Sequence, residues 1–146
     1  AETVGLDVLQ LHGASDVERV TALRAATGLE IWAVVRTADG QLPGNVEELA
    51  DAADALLIDA LAPGALGGTG RTVPWLELGE SLDAMASGHR IILAGGLTAE
   101  NVGEAIDYVS PMVVDVSSGV ESAPGIKDQK LVRAFVAAVR SSGASE

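Results

Sequence analysis

The chain has 146 residues, of which 48% are hydrophobic and only 3% aromatic, so one domain with an aliphatic core is expected over residues 1–146. The net charge of −12 argues against a nucleic-acid surface, and no apolar run reaches the roughly 18 residues of a membrane helix. The absence of Cys excludes disulfides and thiolate metal sites. We therefore expect a cytoplasmic protein that binds no metal, no nucleic acid and no membrane.

The chain alternates short apolar strands with amphipathic helices from its first residues onward. LDVLQL predicts a strand over residues 6–11, and Ser15, with a glutamate three residues later, predicts a helix that Gly28 ends. EIWAVV predicts a second strand over 30–35. A short helix over 45–53 begins with the same capping pattern.

The second half continues the alternation after one long interruption. ALLID predicts a strand over 55–59, and a long loop over 60–74 follows it. The remaining predicted elements are a helix over 75–86, a strand over 90–94, a helix from Thr98 to residue 109, a strand over 112–116 and a helix over 127–140.

Short, almost continuously apolar strands that are each followed by a helix predict a parallel sheet built from βα units. Their spacing is that of a (β/α)8 TIM barrel, but the chain carries only five units. Residues 1–4 are typical of the last turn of a helix, with Gly5 after it. We expect an N-terminally incomplete barrel, with about three further units coming from the rest of the chain or from a second chain. A doubly wound open sheet is the alternative.

Two glycine-containing segments follow neighbouring predicted strands. Gly95 and Gly96 come directly after one strand, and Ser118 and Gly119 come after the next. Glycine lets the backbone approach a ligand, and N–H groups at a helix start favour an anion. Since the last two strands of a barrel commonly bind phosphate, we predict that these four residues bind a phosphorylated small molecule, although each pair could be only a tight turn.

Four side chains are candidates for chemistry because they stand at the carboxyl ends of predicted strands. Asp59 fits a general acid or base, or else a carboxylate that anchors a loop. Asp115 has the same two alternatives, and a role in orienting the substrate or a loop fits it equally. His12 fits a ligand contact or a structural histidine, and Arg36 fits a clamp for a substrate carboxylate or a salt bridge at the rim. The Gly-rich run at 67–70 favours a mobile active-site loop rather than a P-loop.

The runs VLQLHG, LLIDA, GGTG, ILAGGLTAENV and VVDVSSGVESAPGIKD together resemble the phosphoribosylanthranilate isomerases of tryptophan biosynthesis. The order and spacing match over essentially the whole chain, and DVSSGVE with the later PG and KD is the specific part. The resemblance implies a (β/α)8 barrel of which this chain would hold strands four to eight.

The resemblance also implies an Amadori rearrangement that needs no metal or organic cofactor, because both steps are proton transfers. Asp59 matches the general acid that opens the furanose ring. Gly95, Gly96, Ser118 and Gly119 match the phosphate-binding loops, while Asp115 and Arg36 would lie beside the substrate. The chain departs from the family's pattern in two respects. The family's base is a Cys in a first strand, and this sequence contains no Cys and no such strand. The family's anthranilate-contacting Arg, which follows the second strand, is also missing.

Two other hypotheses stay open at this point. One is a non-catalytic partial barrel that binds phosphate or serves as an assembly fragment. The other is a related phosphate-binding barrel enzyme of tryptophan or histidine biosynthesis, such as indole-3-glycerol-phosphate synthase, against which the DVSSGVE run argues.

Overall fold

The computed structural model describes residues 4–13, 16–60, 74–85 and 88–142. Strands β1 to β5 form one parallel sheet whose strand order follows the chain. They are β1 (Val8–Leu11), β2 (Glu30–Thr37), β3 (Ala55–Ala60), β4 (Ile91–Ala94) and β5 (Val113–Val114). The helices are α1 (Val17–Thr27), α2 (Val46–Ala52), α3 (Trp75–Asp83), α4 (Val102–Val109) and α5 (Gln129–Ser142). Between β5 and α5 lie a 3-10 turn (Ser118–Val120) and an antiparallel hairpin of β6 (Glu121–Ala123) and β7 (Ile126–Lys127).

The two faces of the sheet have different neighbours. Successive side chains of a strand point to opposite faces, so Ile31 and Leu56 lie on one face and pack with buried helix residues such as Leu78. Among the described residues, the buried cluster on the other face consists of strand residues alone: Val34, Ala55, Leu57, Ile92 and Ala94. Helices on one face and consecutive strand order exclude the doubly wound alternative, which needs helices on both faces and a reversal of strand order.

The predicted parallel sheet of five strands is confirmed, but the strands at its two ends are shorter than predicted. β1 begins at Val8 rather than at residue 6, and the ladder of β5 covers only Val113–Val114. Both strands pair on one side only within the described sheet. Bonds from the Met112 N–H to the Ile91 carbonyl, 2.9 Å, and from the Asp115 N–H to the Leu93 carbonyl, 2.8 Å, still extend β5 in both directions.

The N-termini of the first two helices differ from the predicted capping patterns: α1 has another N-cap residue, and α2 has the predicted residue without a side-chain capping bond. Asp16 is the N-cap of α1, where its carboxylate accepts the Arg19 N–H at 2.7 Å, whereas Ser15 lies outside the described residues. Asn45 is the N-cap of α2, but its side chain makes no capping bond. Gly28 ends α1 as predicted, with a φ of 68°.

The last two helices begin later than predicted, each for its own reason. α4 starts at Val102, and the Asn101 amide oxygen accepts the Thr98 N–H at 2.8 Å. The prediction that Thr98 caps the helix is therefore wrong. α5 starts at Gln129 because Lys127 belongs to strand β7.

Charged groups at the amino edge of the sheet are paired with each other. The Asp54 carboxylate accepts the Ile31 N–H and contacts the Arg24 guanidinium, both at 2.8 Å. Partial burial of Asp54 favours its neutral form, but these two partners outweigh that effect and hold the pKa of Asp54 below its ordinary value of 3.8. Arg90 similarly contacts Glu30 at 3.2 Å, so this edge is held by ion pairs.

Within the described ranges, no helix is both long and apolar enough to cross a membrane.

Candidate functional site

A cavity of about 220 Å³ opens at the carboxyl edge of the sheet. His12, Asp59 and Asp115 line this cavity. The predicted phosphate-binding residues also line it: Gly95, Gly96, Ser118 and Gly119. The structure thus brings together seven of the eight residues that the sequence singles out, and Arg36 is the exception.

The register of the sheet explains why these side chains converge. Arg36 is the pairing partner of Asp59, and Asp59 is the partner of Ala94. Arg36 and Asp59 therefore lie on the same face of the sheet as the buried cluster that consists of strand residues alone, and Ala94 belongs to that cluster. Gln10 and Asp115 stand on the same face at the two ends of the sheet, because Gln10 pairs with Trp32 and Asp115 lies two residues after Val113. One face therefore changes from apolar to polar at the carboxyl edge.

Asp59 lines the cavity, and among the described residues its carboxylate has one cationic partner. Its side chain is 20% exposed, and its Oδ2 accepts the Arg36 Nε–H at 3.3 Å. The Arg36 side chain is 72% exposed, so this bond is open to water. The structure places Arg36 on Asp59 rather than in the cavity lining, and its direct contact with substrate stays a prediction.

Gly95 is packed so closely that no other residue fits. It has a φ of 93°, and a Cβ atom there would lie 2.6 Å from Asp59 Oδ1 and 2.7 Å from the Ala60 nitrogen. These separations are shorter than any real Cβ contact, and the positive φ also favours glycine. Gly95 thus allows the loop after β4 to pass directly beside the Asp59 carboxylate.

The loop after β5 closes the opposite side of the cavity. A Cβ atom on Gly119 would overlap the Leu97 carbonyl oxygen, so the two glycine-containing loops touch each other. Lys127 Nζ donates to the Ser117 carbonyl at 2.9 Å and contacts Glu121 Oε1 at 2.8 Å. The hydrogen bond from Lys127, helped by the Gly125 N–H at 3.0 Å, holds the pKa of Glu121 below its ordinary value of 4.5.

Three residues that build this site have no role in the predictions from the sequence. Gln10 lines the cavity. Asn101 holds the loop after β4, because its amide donates to the Gly96 carbonyl at 3.1 Å and accepts the Thr98 N–H. Lys127 was expected in a helix. The available signal was their presence in the runs VLQLHG, AGGLTAENV and PGIKD, which match as whole motifs rather than as single glycines.

The Gly-rich run at 67–70, predicted as a mobile active-site loop, lies outside the described residues. Within the part of the chain that is described, no group of three or more His, Asp or Glu side chains is placed to hold a metal ion.

A consecutive parallel sheet, helices on one face and a cavity at the carboxyl strand ends define an α/β protein of the TIM-barrel-like class. Residues 1–138 match the family described as N-(5'phosphoribosyl)anthranilate (PRA) isomerase. The chain belongs to this family.

Two relatives show how far the sequence similarity extends. The N-(5'-phosphoribosyl)anthranilate isomerase of Haloferax volcanii is 44% identical over 96% of this chain and 61% of its own length. That of Cereibacter sphaeroides is 46% identical over 95% of this chain and 65% of its own length. The chain thus spans less than two thirds of the relatives that it matches.

Solved structures agree with the sequence comparison. The phosphoribosyl anthranilate isomerase of Thermotoga maritima superposes with a TM-score of 0.74 and 31% identity, over 96% of this chain and 64% of its own. A phosphoribosyl anthranilate isomerase in complex with reduced 1-(o-carboxyphenylamino)-1-deoxyribulose 5-phosphate gives 0.70 at 28% identity, over 96% and 62% of the two chains. The KDPGal structure, at 19% identity and a TM-score of 0.69, shares the fold alone.

Proposed function

We propose that the protein containing this chain is a phosphoribosylanthranilate isomerase, which converts N-(5-phosphoribosyl)anthranilate to 1-(2-carboxyphenylamino)-1-deoxyribulose 5-phosphate in tryptophan biosynthesis. The observation that carries the proposal is the convergence of Asp59 with two glycine-containing loops in one cavity. Family membership supports it, and so does the related isomerase solved with a phosphorylated sugar compound.

In this proposal Asp59 is the general acid. It donates a proton to the ring oxygen of the ribose, and the C1′–O bond breaks while the anilino nitrogen forms a double bond to C1′. A base then removes the C2′ proton, and the electron pair moves to the nitrogen and leaves an enolamine. The enol hydroxyl loses its proton while C1′ gains one, which gives the ketone, so atoms and electrons balance without a cofactor. The place of Asp59 in the cavity lining, beside the loop that carries Gly95, supports this role.

The phosphate of the substrate would lie between the two loops, which we call the phosphate cup: Gly95, Gly96, Ser118 and Gly119. The first N–H groups of a helical turn have no acceptor within the turn, so they are available to an anion. Backbone donors suit a chain with a net charge of −12, because the overall field repels the ligand. His12 and Asp115, which line the same cavity, would contact the sugar.

The five βα units are, in this proposal, one partial domain of a complete (β/α)8 barrel. The sheet order and the one-sided helices support a barrel, and the chain covers 64% of the Thermotoga maritima structure. The remaining strands, from the rest of the chain or from a second chain, would supply the base, since this sequence contains no Cys. The cytoplasmic location stays a prediction.

The test is turnover by the full-length protein, followed as the loss of phosphoribosylanthranilate fluorescence. Replacing the acid in Asp59→Asn should lower kcat by about 10² to 10⁴, the usual contribution of a positioned proton donor. Asp107→Asn on the exposed side of α4 makes the same charge change away from the cavity and should leave kcat unchanged. Full turnover by Asp59→Asn contradicts the acid assignment, and no turnover by the unmodified protein contradicts the proposed function.

A further inference from the structure

The hairpin of β6 and β7 carries a half-exposed lysine whose three N–H donors all have acceptors within the protein. Lys127 Nζ lies 2.9 Å from the Ser117 carbonyl oxygen, 3.3 Å from Ser117 Oγ and 2.8 Å from Glu121 Oε1. An ammonium group has three N–H donors, and three acceptors surround this one. Lys127 therefore keeps no donor for a ligand, and its charge is balanced by Glu121.

Asp128, the residue after Lys127, holds the other end of the turn Ser118–Val120. The Asp128 N–H donates to the Val120 carbonyl at 2.9 Å. The Asp128 carboxylate in turn accepts the Lys130 N–H at 2.7 Å at the start of α5. The turn Ser118–Val120, which contains half of the phosphate cup, is thus held at Ser117 by Lys127 and at Val120 by Asp128.

The conformation of the Ser117 backbone is held by the bond from Lys127 rather than by a helix or a strand. Its φ of −120° and ψ of −86° belong to neither a helix nor a strand. The turn's own bond to the Ser117 carbonyl, from the Val120 N–H, is 3.4 Å long, whereas the bond from Lys127 is 2.9 Å. A rotation at Ser117 would move Gly119, which has no free space against the Leu97 carbonyl.

We propose that Lys127, neutralised by Glu121, is a positioning residue that sets the orientation of the Ser118 and Gly119 N–H groups in the phosphate cup, and that it acts through Ser117 without touching the ligand. This inference rests on the proposed function, because the cup must bind phosphate for its orientation to matter. Lys127 and Asp128 belong to the PGIKD run, for which the sequence alone predicts no role. The proposal gives Lys127 a place in the site.

The test compares two charge-removing variants, Lys127→Met and Lys130→Met, in the full-length protein. Lys130 is exposed on α5 three residues away, so its replacement alters the net charge equally and leaves the Ser117 carbonyl untouched. Two quantities are measured: the amide chemical shifts of Ser118 and Gly119 without ligand, and the dissociation constant of inorganic phosphate. A urea unfolding curve shows that each variant is folded.

Lys127→Met should move both amide signals and raise the dissociation constant about tenfold, because a charge-assisted hydrogen bond no longer fixes the turn. Lys130→Met should change neither quantity. Unmoved amide signals, or an unchanged dissociation constant in a folded Lys127→Met variant, overturn the inference alone. An unmodified protein that binds no phosphate overturns the proposed phosphate cup, and this inference with it.

Discussion

The two edges of the parallel sheet arrange their polar groups in opposite ways. At the amino edge, carboxylates are matched by cations and backbone donors, as with Asp54 beside Arg24 and Glu30 beside Arg90. At the carboxyl edge, carboxylates and glycine backbone face a cavity, and Arg36 contacts Asp59 in an exposed bond. The amino edge therefore contributes stability, while the carboxyl edge keeps groups available for a ligand.

The two edges also differ in the partners of the few cationic side chains of this acidic chain. It has nine Lys and Arg residues against 21 Asp and Glu residues. Two of the arginines, Arg24 and Arg90, pair at the amino edge. At the carboxyl edge, Lys127 holds a backbone carbonyl rather than facing the cavity. An anion in the cavity would thus meet mainly backbone donors.

The largest expected effect on stability comes from the carboxyl edge, at Gly95. Gly95→Ala should lower the free energy of unfolding by about 3 kcal/mol or more, because its Cβ would overlap Asp59 Oδ1 and the Ala60 backbone in addition to requiring a positive φ. Gly96→Ala is the matched control, since Gly96 also has a positive φ, 62°, but nothing lies within 4 Å of its Cβ position.

Urea unfolding of both variants measures the difference. The control should lose only about 1–2 kcal/mol, the cost of the left-handed conformation for a residue with a Cβ. Equal losses in the two variants would show that Gly95 is not closely packed against Asp59, and the described geometry of this edge would then be wrong.

A smaller effect is expected at the amino edge, from Asp54→Asn. Removing the charge weakens the bonds to Ile31 and Arg24 and should lower the free energy of unfolding at pH 7 by about 1 kcal/mol, because Asp54 and Arg24 are both partly exposed. Phosphate binding should not change, since Asp54 lies at the opposite edge from the cavity.

This contribution should also depend on pH in a definite direction. The pKa of Asp54 is lower in the folded protein than its ordinary value of 3.8, so the stabilisation is complete above that value and disappears as pH falls through the folded-state pKa. Urea unfolding at a series of pH values should show the wild type and Asp54→Asn converging below pH 3.8. A gap that stays constant down to low pH would mean that the charge of Asp54 is not what stabilises this edge.

The parallel sheet and the position of the cavity were predictable from the sequence because both follow from periodicity. Apolar strands followed by helices require a covered parallel sheet, and the carboxyl ends of its strands meet at one edge. Asp59 and Gly95 come at the ends of adjacent strands in the chain, so their proximity follows directly. The α/β class and the five parallel strands are confirmed on this basis. Seven of the predicted site residues line one cavity, while their roles stay predictions.

The details that escaped prediction depend on single side-chain contacts, which periodicity does not report. Lys127 follows an apolar residue and precedes a helical pattern, so the sequence favoured including it in the helix, whereas its bonds to Ser117 and Glu121 draw it into a hairpin. Thr98 is a good N-cap residue, but Asn101 forms the competing turn. Such contacts join residues from separate loops, and local sequence cannot choose between them.

The most direct test of the division between the two edges is a titration of the ¹⁵N-labelled full-length protein with inorganic phosphate, followed by amide chemical shifts. Saturable shifts are expected at Gly95, Gly96, Ser118 and Gly119, with the Ile31 amide at the amino edge unchanged. Shifts confined to the amino edge, or no saturable shift at these four residues, would contradict this division.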